Sequence, residues 1–170
     1  MIIYKDVISG DELFTDSFPV TESGNGVEKV QSRYIRVSRD DDLGAALESE
    51  TSPAHDVAKE DGQDTVIDIV HAHSLQKIPF DKKSYETYIN GYIKRLKAKL
   101  SEKSPGRAAT FEQQAAAHVK GVLTNFGDYS FYTGASNDNH EGMVIAASSP
   151  SEGAAPVFVF FLDGLWEEKM

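Results

Sequence analysis

The side chains best suited to chemistry in this sequence are one aspartate and two histidines near its middle. The apolar run from Thr65 to Val70, broken only by Asp68, predicts a largely buried strand that leads directly into His71 and His73. Because side chains alternate along a strand, the two imidazoles would share one face. A zinc site needs further ligands, and no spacing in the sequence supplies them. We therefore favour a non-metal role for this pair of histidines. The alternative is a metal- or small-ligand-binding enzyme with a sheet cleft at Asp68, His71 and His73.

Two acidic or amide-rich segments suggest calcium. The run from Asn137 to Gly142 is similar to the opening of a calcium loop, but Ser148 stands where such a loop needs a bidentate carboxylate. A hairpin turn is the better interpretation of this run. The three consecutive aspartates from Asp40 to Asp42 leave weak calcium binding open. We accordingly expect no cofactor and no dedicated metal site beyond such weak calcium association.

Other catalytic chemistry finds little support in the sequence. The chain has no cysteine, which excludes thiol chemistry and disulfides, and it has no Gly-rich phosphate loop, nucleophile elbow or Walker-type lysine. The adjacent carboxylates Asp11 and Glu12 would diverge on a strand or turn, so they make a poor acid and base pair. Tyr85, Tyr88 and Tyr92 follow helical spacing, which favours core packing over ligand stacking. We predict that the protein has no catalytic residues and is not an enzyme.

Charge is distributed unevenly along the chain. The formal charge is −10, yet the segment from Lys82 to Arg107 holds eight bases and only two acids. A cationic segment on an acidic body can steer toward an acidic partner surface such as a microtubule, although a simply solvated helix face is the common alternative. The overall acidity argues against nucleic acid as a partner. No stretch approaches the roughly 20 apolar residues of a membrane span.

The order of elements predicts one α+β domain over residues 1–170. Short strands fill the first 38 residues, with a hairpin turn at Asn25-Gly26. Residues 39–64 are acidic and lack aromatic side chains, which predicts a mobile loop. Asp81 is placed to cap a helix, and two apolar stripes separated by a break at 104–106 predict a helical hairpin over 81–127. Strands return in the last third, where the apolar run from Val157 to Leu162 is typical of a central strand.

Several motifs together resemble the translationally controlled tumour protein family over essentially the whole chain. They are the opening MIIYKDVISGDELFTDSF, the runs Tyr85 to Ile89 and Asn125 to Gly134, and the ending Phe160 to Leu165. Ala135 stands where the family has a glutamate, so the chain is identified as a divergent member. The resemblance implies a β-tent core of mixed short sheets, a protruding α-helical hairpin and a long mobile acidic loop.

The resemblance also implies function. It implies a monomeric protein that acts in growth, stress and survival signalling and binds other signalling proteins. Its expected compartment is the cytoplasm, with the nucleus as a second one. One implied partner is a Rheb-like small GTPase, toward which this protein would have nucleotide-release activity. Glu12, with Asp11 beside it, would contact that GTPase. The family's calcium and tubulin or microtubule association falls on the basic part of the hairpin. The implied tubulin-binding residues are Lys82, Lys83, Lys94, Arg95, Lys97, Lys99 and Lys103.

Overall fold

A computed structural model describes residues 1–38, 63–136, 142–148 and 154–169. A three-stranded antiparallel sheet joins the two ends of this chain. It contains β1 (Ile2–Asp6), β2 (Glu12–Thr15) and β11 (Leu165–Lys169), with β1 in the middle. Ile2 pairs with Lys169 in the register between β1 and β11.

A six-stranded antiparallel sheet forms the larger layer. Its order is β3 (Val20–Gly24), β4 (Val27–Gln31), β10 (Val157–Phe161), β9 (Ile145–Ser148), β8 (Tyr129–Thr133) and β7 (Gln76–Ile78). The apolar β10 lies inside this sheet, as its sequence predicts. The predicted turn between β3 and β4 is confirmed, because Asn25 and Gly26 take φ values of 55° and 83°.

The predicted strand from Thr65 to Val70 is wrong in its second half. Strand β5 (Tyr34–Ser38) pairs with β6 (Gln63–Ile67), and helix α1 (Asp68–His73) begins directly afterwards. The buried Asp68 starts this helix: its Oδ1 accepts from the backbone N–H of Ile69 at 2.7 Å and of Arg33 at 2.9 Å. The predicted mobile loop also ends early, since Gln63 and Asp64 belong to β6. Its remaining residues, 39–62, lie outside the described part of the chain.

The helical hairpin consists of α2 (Lys82–Lys103) and α3 (Pro105–Thr124). Asp81 is the N-cap of α2, as predicted: its Oδ1 accepts from the Ser84 N–H at 2.7 Å, and the Ser84 hydroxyl accepts from the Asp81 N–H at 3.0 Å. Pro105 occupies the first turn of α3, where its missing N–H costs nothing. Two short 3₁₀ turns, Phe126–Asp128 and Leu162–Gly164, complete the regular structure of the described residues.

Aromatic side chains join the hairpin to the sheets. Tyr85 stacks on Phe131 with ring centroids 4.6 Å apart, and Tyr92 lies 5.6 Å from Phe161. Both tyrosines are fully buried, and burial raises the pKa of each hydroxyl. Tyr85 and Tyr92 are therefore core residues of the α+β fold, as predicted, whereas Tyr88 is partly buried and packs against the core. The mixed short sheets and the helical hairpin agree with the predicted architecture.

The close approach at Gly164 generates a test of this packing. A Cβ at Gly164 would lie 2.7 Å from Met143 Cε and against the hydroxyl of Tyr92. We expect Gly164→Ala to lower the free energy of unfolding by about 1–3 kcal/mol, as overpacking does. Gly121→Ala is the matched control, because nothing lies within 4 Å of its new methyl group and alanine favours a helix. Chemical denaturation should show opposite signs for the two variants; equal shifts would contradict the close contact.

His118 gives the fold a pH dependence. Its ring lies edge-on to Phe161, and burial, assisted by the charge of Lys29, lowers the pKa of His118 to about 4. The unfolded chain binds this proton near pH 6.5. As pH falls from about 6.5 to 4, only the unfolded state gains the proton, so the free energy of unfolding should fall by up to about 3 kcal/mol. Denaturation at several pH values should show a flatter slope for His118→Leu, and identical slopes would be inconsistent with this cause.

Candidate functional site

Helix α2 concentrates positive charge on its solvent side. It has seven bases and two acids, while its apolar stripe of Tyr85, Ile89, Tyr92 and Leu96 is buried. All the sequence-predicted tubulin-binding residues therefore lie on one helix. Five of them are exposed and two, Arg95 and Lys97, are partly buried. The exposed five are Lys82, Lys83, Lys94, Lys99 and Lys103.

Three cations of this region take part in contacts within the fold. Lys97 Nζ lies 2.8 Å from Glu112 Oε1 and links the two helices, and the Arg95 guanidinium lies 5.8 Å from the centre of the Tyr88 ring. Arg107 donates to both carboxylate oxygens of Asp163, at 2.7 and 2.5 Å. This bidentate pair raises the pKa of Arg107 and fixes the start of α3 to the 3₁₀ turn before β11. The structure thus assigns Arg107 to the fold.

The turn between β1 and β2 is held by two carboxylates. Asp6 is 2% exposed and accepts from the backbone N–H groups of Ile8 and Met143, at 2.8 and 2.7 Å, and from the Ser9 hydroxyl at 3.0 Å. The same hydroxyl oxygen lies 3.1 Å from Asp11 Oδ2, and Asp11 accepts from the Ser136 hydroxyl at 2.5 Å. These bonds tie the turn to distant segments of the chain.

The two sequence-predicted GTPase-contact residues differ in their surroundings. The Asp11 carboxylate is bonded to Ser136, and a Cβ at Gly134 would collide with it. Glu12 is exposed at the start of β2, opposite Lys5 in the register of β1 and β2. Of this pair, Glu12 is the side chain that a partner can reach without breaking bonds in the fold.

The sequence-based cleft at Asp68, His71 and His73 is not formed. The two histidines lie on α1, where residues two apart point to nearly opposite sides, and not on one face of a strand. His71 is exposed, whereas His73 packs edge-on against Phe18 and burial lowers its pKa. Within the described ranges, no three histidine, aspartate or glutamate side chains are grouped so that they could hold a metal ion.

The structure does not test the two calcium predictions. Asp40 to Asp42 and residues 137–141 lie outside the described part of the chain, so the weak calcium binding and the hairpin turn before Gly142 stay predictions. Among the described residues, no helix has the length and apolar character that crossing a membrane requires.

Sequence reasoning missed a groove at the C-terminal half of α2. This groove has a volume of about 470 Å³ and is bounded on one side by Trp166 in β11, which is 53% exposed. The only sequence signal was a single tryptophan next to acidic residues in a polar tail. A wider groove of about 980 Å³ lies at the other end of α2, where β7 and the helix N-terminus meet.

Known proteins resemble this chain in both sequence and fold. The family model described as "Translationally controlled tumour protein" matches residues 1–166. A "Translationally-controlled tumor protein homolog" of Schizosaccharomyces pombe is 40% identical over 169 residues, and one of Lateolabrax japonicus is 43% identical over 176 residues; each alignment covers 99% of both chains.

Solved structures give the same result. The translationally controlled tumor-associated protein p23fyp of Schizosaccharomyces pombe superimposes with a TM-score of 0.81 at 40% identity, covering 100% of both chains. The protein of this name from Caenorhabditis elegans shares the fold, with a TM-score of 0.72 at 22% identity over 100% of this chain and 99% of that one. Sequence and structure together therefore show that this chain belongs to the translationally controlled tumour protein family.

Proposed function

We propose that this protein is a non-enzymatic regulatory protein of growth and stress signalling that docks acidic protein surfaces through α2. Microtubules, through acidic tubulin, are the partner that we expect. One observation carries the proposal: α2 has seven bases and two acids, whereas the whole chain has 17 bases and 27 acids.

This separation of charge favours docking in one orientation. A cationic face on an acidic body attracts an acidic surface to that face and repels it elsewhere, which speeds productive encounter. The five exposed lysines of α2 remain solvated, so their attraction is screened by salt over about 8 Å at physiological ionic strength. The proposed binding is therefore salt-dependent, and the cytoplasm is the compartment that suits it.

We propose a second contact at Glu12, for a small GTPase of the Rheb type. The turn that precedes Glu12 is held by Asp6 and Asp11, so the exposed carboxylate stands on a fixed support. A carboxylate in such a position can compete with the switch or magnesium contacts by which a GTPase retains its nucleotide.

Charge reversal tests the α2 surface. We expect Lys94→Glu/Lys99→Glu to weaken co-sedimentation with microtubules about tenfold at low salt, because two attractive charges become repulsive. The difference should shrink at high salt. The control is Lys77→Glu/Lys169→Glu, which changes the net charge equally at exposed sites outside α2. Equal losses for both variants would show that the net charge, and not this helix, controls binding.

Nucleotide exchange tests Glu12. We expect Glu12→Gln to slow release of GDP from a Rheb-type GTPase about tenfold relative to the unmodified protein. The same variant should keep its free energy of unfolding within about 0.5 kcal/mol, as exposed substitutions do. Asp11→Ala should instead lose about 1–2 kcal/mol of stability, because its partners lose their acceptor. Should the unmodified protein and Glu12→Gln be equally inactive in exchange, the GTPase proposal fails.

A further inference from the structure

The groove beside Trp166 combines an apolar floor with a cationic rim. Its apolar lining consists of Leu96 and Leu100 of α2, Leu165 and Trp166 of β11, and Val7 of the turn after β1. Lys99 and Lys103 stand on the α2 side. Its volume of about 470 Å³ lies within the range of ordinary ligand pockets.

Trp166 is placed where a binding partner would bury it. It is 53% exposed, although tryptophan is the side chain with the largest apolar surface. Lys5 Nζ lies 5.4 Å from its ring centre and 2.6 Å from Glu168, so a cation–π contact and an ion pair restrict the ring. Because the ring is already restricted, it loses little conformational entropy when a partner binds. Tryptophan is also enriched among the residues that dominate interface energy.

The exposed charged residues that line the groove are more often positive than negative. Asp6 is buried with three hydrogen-bond donors, and Asp163 is bonded to Arg107. Among the exposed charges that line the groove, Lys99 and Lys103 outnumber Glu102. An apolar floor with this rim suits a ligand that has one large apolar side chain and neighbouring carboxylates.

We propose that this groove binds a short acidic peptide segment of a partner protein, with one aromatic side chain inserted against Trp166 and Leu100 and flanking carboxylates facing Lys99 and Lys103. The inference rests on the proposed docking of acidic partners by α2, and it specifies the apolar anchor that selects among them. Charge then brings the partner to α2, and the groove adds the shape selection that charge alone lacks.

Trp166 itself reports the binding, because it is the only tryptophan in the chain. The probe is a capped peptide of sequence Glu-Glu-Phe-Glu-Glu, and its control replaces phenylalanine with serine. We expect the phenylalanine peptide to shift Trp166 emission to shorter wavelength in a saturable titration, and the serine peptide to bind at least tenfold more weakly. Equal titrations by the two peptides would overturn the proposal, because the aromatic anchor would then contribute nothing.

Three variants separate the groove from the general field of α2. Labelled peptide anisotropy should show at least tenfold weaker binding for Lys99→Glu/Lys103→Glu and for Trp166→Ala, while far-UV circular dichroism shows that each variant is still folded. The matched control, Lys77→Glu/Lys169→Glu, reverses two exposed charges outside α2 and outside this groove and should lose less than threefold. Full binding by Trp166→Ala, or an equal loss in the control, would refute the groove.

Failure here can be told apart from failure of the microtubule proposal. If Lys94→Glu/Lys99→Glu weakens co-sedimentation while Trp166→Ala binds the peptide normally, α2 docking stands and the groove proposal falls.

A last titration uses phosphatidylserine vesicles in place of the peptide, since tryptophan with lysines also suits an anionic membrane surface. A blue shift with vesicles but not with the peptide would overturn the peptide proposal in favour of that surface.

Discussion

The attachment of α2 to the sheets is the interaction on which the other features of this protein depend. Seven bases on one helix repel each other, and Gly91 within it weakens helix formation further. Burial of Tyr85 and Tyr92 against Phe131 and Phe161 offsets that repulsion. The helix can therefore display a concentration of positive charge that an isolated peptide of this sequence could not hold in a fixed geometry.

Carboxylates fix the position of that charge relative to the rest of the molecule. Asp6 and Asp11 join the turn after β1 to backbone more than a hundred residues away, and Asp163 holds Arg107 at the start of α3. These three acids thus serve the architecture, as Asp68 and Asp81 do, while Glu12 is exposed at the surface. Asp11 and Glu12 are neighbours in the sequence, yet the carboxylate of Asp11 holds the fold together and that of Glu12 lies on the surface.

Features that depend on neighbouring residues could be predicted from the sequence, and features that depend on distant ones could not. The Asp81 cap and the Asn25-Gly26 turn are local, and both predictions are confirmed. The predicted break at 104–106 is shorter in the structure, because Pro105 and Gly106 already belong to α3. Helix α1 was missed because its first residue, Asp68, accepts a hydrogen bond from the backbone N–H of Arg33, which lies 35 residues earlier. The groove at Trp166 was missed for the same reason, since separate segments of the chain build its walls.

The pairing of β1 with β11 also constrains how the chain folds during synthesis. Ile2 meets Lys169, so the three-stranded sheet cannot close until the last strand has left the ribosome. Until then β1 lacks one of its two neighbours. Contacts of such long sequence separation slow folding, and unpaired strand edges attract other chains. An unpaired edge of β1 therefore persists in the nascent chain until β11 is available.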